Sequence, residues 1–301
     1  MNAIEIKNLT KNYGEKQAIS GLDMTVPAGA IYGFIGENGS GKSTTEKLIC
    51  GLILPTSGEI KLYGKDFTDE DVRSSVGVLI ESPGCYPNYS VWNNLMLQAK
   101  NLSIKNAKDE IRKILKLVRM EGAASNKYKN CSLGMKQRIG IAMALLGNPK
   151  LLILDEPING LDADGMRIMR EVLTDITKNK NVTVLISSHL LGELEKIATH
   201  YGIIRGGKMI AQMTAEELDA NCPTFVAVKS TDLKKAKQVL ESKYSKVTED
   251  KENDSIRVYD AKKTEDIVGL LCENNVPVSE ITTDKISLEE YYLNLMHKEG
   301  K

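Results

Sequence analysis

Residues 36–43, which read Gly-Glu-Asn-Gly-Ser-Gly-Lys-Ser, constrain the fold of this chain more than any other segment. They fit the pattern G-x-x-x-x-G-K-[ST], in which successive backbone N–H groups turn inward and bind phosphate oxygens. An apolar run at residues 31–35 predicts a buried strand before the loop, and residues 44–50 carry apolar side chains at helical spacing after it. A strand, a loop and a helix in this order predict an α/β fold with a nucleotide site at the loop.

The residues of this loop have distinct expected roles. Lys42 is expected to bridge the β- and γ-phosphates, and the Ser43 hydroxyl to complete a Mg²⁺ shell. The helix that begins near Lys42 adds the positive end of its dipole. The alternative is a glycine-rich turn without a ligand, which the flanking strand and helix disfavour. The predicted nucleotide ligands are Gly36, Glu37, Asn38, Gly39, Ser40, Gly41, Lys42, Ser43 and Thr44.

The composition restricts the partners that this chain can have. Lys plus Arg and Asp plus Glu both number 40 among 301 residues, so the formal net charge is zero. This balance argues against nucleic acid as a partner and against a basic membrane anchor. Five scattered cysteines without a C-x-x-C pair fit a reducing, cytoplasmic compartment. The apolar runs are too short to cross a bilayer, so we expect any membrane task to require a separate subunit.

Two carboxylates follow a fully apolar run in the middle of the chain. Residues 151–154 are Leu-Leu-Ile-Leu and predict a buried strand, and Asp155 and Glu156 come directly after it. This is the Walker B pattern, in which Asp155 is expected to hold Mg²⁺ through water and Glu156 to polarise an attacking water. Purely structural acids are the alternative, which the phosphate loop upstream disfavours.

Two further predicted strands end in side chains that can take part in chemistry. Residues 76–80 lead into Glu81, and residues 182–186 lead into Ser-Ser followed by His189. Because open α/β sheets bind ligands at the carboxyl ends of their strands, both side chains are candidates for the same site, with His189 donating to a phosphate oxygen. The alternatives are a solvated charge at Glu81 and a structural histidine.

Three other candidates lie on predicted loops and at a helix start. Tyr13 lies in a loop and can stack on a purine base, although such tyrosines more often pack against their own chain. Ser132 is a good N-cap and, with Gly134, forms a second potential anion-binding surface; the alternative is an ordinary capped helix. Residues 159–162 predict a turn that ends at Asp162.

The succession of elements predicts two domains. Residues 1–220 combine the strands above with a helical pattern at residues 91–118, and a helical subdomain is expected at about residues 84–145. Asn-Cys-Pro at residues 221–223 indicates a boundary. Residues 221–301 follow the order strand, helix, strand, strand, helix, strand, with a final helix. This order predicts a small ferredoxin-like α+β domain, to which we assign an accessory or regulatory role.

In this order and over about residues 1–220, these motifs resemble the ATP-binding subunit of ABC transporters. The resemblance implies an α/β fold: a P-loop ABC ATPase domain with a mixed sheet core, an antiparallel β subdomain and a helical subdomain. It also implies ATP and Mg²⁺ as cofactors, a transmembrane permease as partner, and a position on the inner face of the cell membrane. Two ATPase subunits, either identical or paralogous, are expected to close head-to-tail around ATP.

The resemblance also assigns roles to single residues. It implies catalytic roles for Glu156, His189 and Glu81, and contacts from Ser132 and Gly134 to the nucleotide of the opposing subunit. The motifs are Tyr13 as the A-loop aromatic, Gly36–Ser43 as Walker A, Glu81 at the Q-loop position, Cys131–Met135 as the signature, Asp155 and Glu156 as the end of Walker B, Asp162 in the D-loop and His189 in the H-loop.

Two departures from the family pattern stand out. Glu81 occupies a position where the family usually has Gln, and a carboxylate is a better Mg²⁺ ligand than an amide, so Glu81 joins Ser43 and Asp155 as a predicted metal ligand. The signature reads Cys-Ser-Leu-Gly-Met at residues 131–135 instead of Leu-Ser-Gly-Gly-Gln. Ser132 and Gly134 keep the family's identities.

These departures are similar to those of bacitracin-export and lantibiotic-immunity ATPases. That similarity implies a transporter that exports an antimicrobial peptide or lipid-like molecule, or removes it from the membrane. One alternative is a soluble ABC-type switch that acts on ribosomes or chromosomes without a permease. Another is a module that uses ATP only to dimerise and does not hydrolyse it.

Overall fold

A computed structural model of the protein describes residues 1–180, 182–251, 253–261 and 263–298. The chain divides into two compact units, Met1–Ala215 and Glu216–Lys301. The division lies five residues before the boundary at residue 220 that the sequence predicts.

The first unit begins with strands and then alternates strands with helices. Its strands are β1 (Asn2–Tyr13), β2 (Lys16–Pro27), β3 (Ile31–Ile35), β4 (Ser57–Leu62), β5 (Lys65–Asp66), β6 (Val76–Leu79), β7 (Leu151–Asp155), β8 (Thr183–Ser188), β9 (His200–Arg205) and β10 (Lys208–Thr214). Its helices are α1 (Lys42–Ile49), α2 (Glu70–Arg73), α3 (Val91–Asn101), α4 (Ala107–Leu117), α5 (Leu133–Leu145), α6 (Ala163–Lys180) and α7 (Leu191–Leu194).

A six-stranded mixed sheet forms the core of this unit, in the order β10-β9-β3-β8-β7-β6. Strands β9, β3, β8, β7 and β6 run parallel, and β10 is antiparallel to β9. All residues of β3 and β8 are buried, as expected for parallel strands covered on both faces. Because β3, β8 and β7 are parallel neighbours, the segments that follow them meet at one edge of the sheet.

A second, antiparallel sheet has the order β2-β1-β4-β5. Strands β1 and β2 each have 12 residues. Irregularities between Ile6 and Leu9 and the positive φ of Asn8 (46°) break the alternation of apolar residues, which hides the length of β1. Tyr13 is consequently the last residue of β1, not a loop residue.

Helices α3, α4 and α5 correspond to the predicted helical subdomain. The helical pattern at residues 91–118 contains two helices, with Ser103 in a left-handed conformation between them. Ile111, Ile114 and Leu115 form the buried face of α4 at the spacing of an amphipathic helix. Strands β9 and β10 are absent from the sequence prediction; Gly202 interrupts the apolar run of β9.

The second unit begins in helix α8 (Ala215–Asn221) and has its own sheet and core. Its other elements are β11 (Thr224–Lys229), α9 (Leu233–Glu241), β12 (Val247–Asp250), β13 (Ser255–Val258), α10 (Thr264–Glu273), β14 (Glu280–Lys285) and α11 (Leu288–Lys298). The sheet is antiparallel with the order β12-β13-β11-β14, which is the predicted ferredoxin-like arrangement. No helix in the described ranges is both long and apolar enough to cross a bilayer.

Candidate nucleotide site

One cavity of about 400 Å³ is lined by most of the residues of the predicted site. It lies where the segments after β3 and β7 meet, and Tyr13 at the end of β1 lines it from the antiparallel sheet. The lining residues are Tyr13, Lys16, Gln17, Ala18, Asn38, Gly39, Gly41, Lys42, Ser43, Thr44, Asp155, Glu156 and Gly206. The phosphate loop, both carboxylates after β7 and the aromatic residue therefore share a single space.

Two positions in the loop between β3 and α1 tolerate only glycine. Gly41 has a φ of 114°, and a Cβ atom there would lie 2.6 Å from Ile19 Cδ1. A Cβ on Gly36 would lie 2.5 Å from the carbonyl oxygen of Ile204. Larger residues would fill or distort the cradle. Ser40 Oγ is buried without a hydrogen-bond partner among the described residues, and a Cβ on Gly36 would lie 2.5 Å from it.

Lys42 supplies the positive charge of this loop. Its side chain is buried, and Nζ donates to the carbonyl oxygens of Gly36 at 2.6 Å and of Glu37 at 3.1 Å. Carbonyl groups orient the ammonium group without neutralising it. An ammonium group and a helix N-terminus form a donor set that fits the phosphates of a nucleotide.

Asp155 lies against the start of α1. Ser43 Oγ donates to Asp155 Oδ2 at 3.3 Å, and Ser187 Oγ donates to Asp155 Oδ1 at 2.8 Å. A hydroxyl and a carboxylate at this spacing are oxygen ligands of the type that Mg²⁺ prefers. Across the described ranges no three His, Cys, Asp or Glu side chains cluster as a metal site. This sparse set fits Mg²⁺, which usually takes few protein ligands and completes its shell with phosphate oxygens and water.

Glu156 and His189 form a hydrogen-bonded pair beside the cavity, with 2.8 Å between Glu156 Oε2 and His189 Nδ1. The backbone of Glu156 is in the left-handed region, with a φ of 49°, and its N–H donates to the carbonyl and the hydroxyl of Ser187, both at 3.2 Å. Strained backbone at a strand end is frequently retained to aim a functional side chain. The pair has the arrangement of a general base with an orienting partner.

Glu81 has a different partner from the one predicted. Its carboxylate pairs with Lys47 at 2.9 Å and is 72% exposed, so the structure does not place it beside Ser43 and Asp155 as a third metal ligand. The hydrogen bond from Lys47 holds the pKa of Glu81 below its ordinary value. The ammonium group of Lys47, about one turn into α1, is the cation that pairs with this carboxylate. The sequence pattern does not predict this pair.

The remaining candidates lie at helix starts and outside the lining of the cavity. Ser132 is the N-cap of α5, where its Oγ accepts from Met135 N at 3.3 Å. Asp162 precedes α6, and its Oδ1 accepts from Gly165 N at 2.9 Å. A Cβ on Gly160 would lie 2.9 Å from Leu133 Cδ2, so the segments that carry Ser132 and Asp162 are in contact.

Sequence reasoning missed several residues of the site. Ser187 binds both Asp155 and the backbone of Glu156, and Lys16, Gln17 and Gly206 line the cavity. Ser187 directly follows the apolar run at residues 182–186, and this position is a sequence signal that points to it. The other three belong to strand and hairpin segments whose neighbours depend on the pairing of sheets, for which the sequence has no local signal.

Residues 19–159 match the family described as ABC transporter. The chain is 38% identical to the bacitracin transport ATP-binding protein BcrA of Bacillus licheniformis over 299 residues, which is 97% of each chain. It is 40% identical to the lantibiotic transport ATP-binding protein SrtF of Streptococcus pyogenes over 209 residues, covering 69% of this chain and 90% of that protein.

Among solved structures, the chain resembles cbiO1 from Clostridium perfringens, part of the ABC transporter complex cbiONQ. The TM-score is 0.67 at 27% sequence identity, over 73% of this chain and 91% of that one. The match with the relative from Bacillus licheniformis covers 97% of this chain and therefore extends into both units. The cradle, the carboxylate pair and these likenesses lead to one conclusion: the chain belongs to the ATP-binding ATPase subunits of ABC transporters.

Proposed function

We propose that this protein hydrolyses ATP to drive a separate transmembrane permease that moves an antimicrobial peptide or lipid-like molecule out of the cell or out of its membrane. The observation that carries the proposal is the cavity shared by Tyr13, the phosphate loop, Asp155 and Glu156. The names of the relatives support the substrate class, since one serves bacitracin transport and another lantibiotic transport.

In the proposed site, different residues of one chain bind different parts of the nucleotide. Tyr13 stacks on the base, and the loop N–H groups with Lys42 bind the phosphates. Ser43 and Asp155 hold Mg²⁺, which supplies charge neutralisation at the phosphates when it is bound. Glu156 accepts a proton from the attacking water, and His189 orients Glu156 and contacts the γ-phosphate.

A second chain completes this site in the proposed dimer. Ser132 and Gly134 approach the γ-phosphate held by the opposing subunit, and Asp162 lies in the segment that accompanies them. The contact between Leu133 and Gly160 supports this proposal, because it joins the two segments within one chain. Closure of two chains around ATP drives the permease, and hydrolysis reopens them. The partner is a second copy or a paralogue.

We place the permease contact on the side of the helical subdomain. A groove of about 610 Å³ lies between the edge strand β6 and helix α5, with Val78, Pro83 and Met143 among its lining residues. This groove begins next to Glu81, whose ion pair with Lys47 connects it to α1 and the phosphate loop. An apolar helix of the permease fits such a groove, which would hold this subunit at the inner face of the membrane.

The test is ATP turnover with and without a candidate permease in vesicles. We expect turnover that rises with the permease and its cargo, and that disappears in Lys42→Ala because nucleotide binding is lost. ATP turnover that is the same with and without each permease favours the soluble switch. Tight ATP binding without turnover favours the non-hydrolysing module.

We assign residues 221–301 to regulation or dimer contact. Their position after a complete ATPase unit, together with their separate core, supports this role. Removal of the residues after Leu218 is then expected to alter the coupling between turnover and transport. Unchanged turnover and coupling in the truncated protein would contradict this assignment.

A further inference from the structure

An ion pair joins helices α6 and α7 of the first unit. Arg170 on α6 donates to one carboxylate oxygen of Glu193 on α7, and Lys196 donates to the other oxygen at 2.7 Å. The side chains of Arg170 and Glu193 are 23% and 16% exposed. Because water and salt screen such a covered pair weakly, it constrains the two helices more than an exposed ion pair would.

Helix α7 cannot hold its own position. It has a single turn, Leu191–Leu194, and a helix of this length is not stable by itself in water. Leu191 and Leu194 are buried and anchor its apolar side, whereas Glu193 ties its polar side to α6. The position of α7 therefore depends on the two leucines and on Arg170.

The backbone at His189 is held from both of its ends. Ser188, directly before it, is the last residue of β8, and α7 begins two residues after it. The imidazole is 45% exposed, and its hydrogen bond to Glu156 is 2.8 Å long. A half-exposed side chain is not locked by packing, so the direction of this imidazole depends on the backbone that carries it.

We propose that Arg170 and Glu193 are a positioning pair for His189: they fix α7 against α6 and thereby hold the imidazole within hydrogen-bonding distance of Glu156. The inference rests on the proposed function, since the pair affects turnover only if His189 orients Glu156 as the base. Neither Arg170 nor Glu193 lines the nucleotide cavity, so both act through His189. Displacement of a catalytic group by about 1 Å can slow a reaction about 100-fold.

Nitrogen NMR of the full-length protein with isotope-labelled histidine tests the position of the imidazole. The chain has three histidines, and the signals of His189 are those that disappear in His189→Ala. The shifts of the ring nitrogens report which nitrogen carries the proton and which is hydrogen-bonded. Arg170→Met keeps much of the side-chain length without the charge. In this variant we expect the His189 shifts to move towards those of a free imidazole, while the other two histidines stay unchanged.

Steady-state ATP hydrolysis measures the consequence for turnover. We expect kcat of Arg170→Met to fall about tenfold while KM for ATP stays unchanged, because the residues that line the nucleotide cavity are intact. Arg170→Lys keeps a cation beside Glu193 and is expected to recover most of kcat and of the His189 shifts.

Arg167→Met is the matched control. Arg167 lies about one turn before Arg170, and its guanidinium group pairs with Asp164 and Glu171 on the same helix. Loss of these pairs does not release α7, so neither kcat nor the His189 shifts are expected to change.

Unchanged His189 shifts in folded Arg170→Met overturn the inference, and so does an equal change of the shifts in Arg167→Met. If Arg170→Met does not fold, Glu193→Gln replaces it. This substitution removes the charge and keeps the size of the side chain, and the His189 shifts must move in the same way. Normal turnover of His189→Ala contradicts the role of His189 in the proposed function instead, and the NMR comparison then still decides whether the pair positions the imidazole.

Discussion

The two units treat buried polar groups in opposite ways. In the first unit, side-chain oxygens of Ser40, Glu46 and Gln137 are buried without hydrogen-bond partners among the described residues. In the second unit, the nearly buried Arg257 pairs with Asp250 and Glu290. The first unit thus retains polar groups that its own chain does not satisfy, whereas the second uses its buried charges to hold itself together. A buried polar group without a partner calls for a physical explanation, such as a bound water, an ion or a functional role.

The backbone shows the same contrast. In the first unit, Glu81 and Glu156 adopt left-handed conformations, with φ values of 66° and 49°, directly after or close to strand ends. Among the residues of the second unit that the structure describes, the non-glycine residues with positive φ are Asp254 and Asn275, which are types that tolerate this region in turns. The first unit also has left-handed residues at turns, such as Ser103, so only Glu81 and Glu156 combine this strained conformation with a candidate function.

Glu156→Gln is the variant with the largest expected effect, and it tests the functional role assigned to the first unit. We expect ATP turnover to fall by about 100-fold or more, because an amide cannot accept a proton from water, while ATP binding is retained and dimers accumulate. Single-turnover hydrolysis and gel filtration with ATP measure both effects. Glu70→Gln, at an exposed helix start, is the control and is expected to turn over normally. Near-normal turnover of Glu156→Gln would remove Glu156 as the base.

The second unit is tested by Arg257→Met, which leaves the carboxylates of Asp250 and Glu290 without their cation. We expect a loss of about 1–3 kcal/mol in the second unit, because the largely buried Asp250 loses its cation while the more exposed Glu290 is compensated by solvent. Hydrogen exchange across β11 and β13 should accelerate. Trp92, the only tryptophan, lies in the first unit, so its fluorescence transition in urea should not move. Loss of ATP affinity in this variant would contradict the division of roles.

The smallest expected effect concerns the Lys47–Glu81 ion pair. Its hydrogen bond lowers the pKa of Glu81, so this contribution to stability is present above the unfolded value of about 4.3 and is lost as pH falls through the folded value. The pair also raises the pKa of Lys47, so the contribution is lost again at high pH, above about 10.4. Both side chains are partly exposed, and salt should weaken the pair.

Thermal unfolding of wild type and Lys47→Met measures this pair. The melting temperatures should differ slightly at pH 7 in low salt and coincide at pH 3. A difference that persists at pH 3 would show that Lys47 stabilises the fold through packing of its methylene groups instead.

Local patterns predicted the parts of the molecule that depend on neighbours in the chain. The loop after β3, the carboxylates after β7 and the order of elements in the second unit all have signals within a few residues. For Glu46 and Glu81, such local signals do not predict the environment of the side chain. In the sequence Glu46 looks like any exposed helical glutamate, and its burial follows from β7 and β8, which are more than 100 residues away. The partner of Glu81 likewise depends on how β6 docks beside α1.

Ser132 and Asp162, the residues proposed to meet a second chain's nucleotide, are held as helix caps within their own chain. Groups fixed during folding lose little conformational entropy when two molecules associate. Assembly of the pair then resembles the docking of two rigid surfaces, and the nucleotide between them governs how long they stay together. Once the nucleotide has left, the two surfaces can separate without refolding of any segment. Association and separation can then be repeated at little entropic cost.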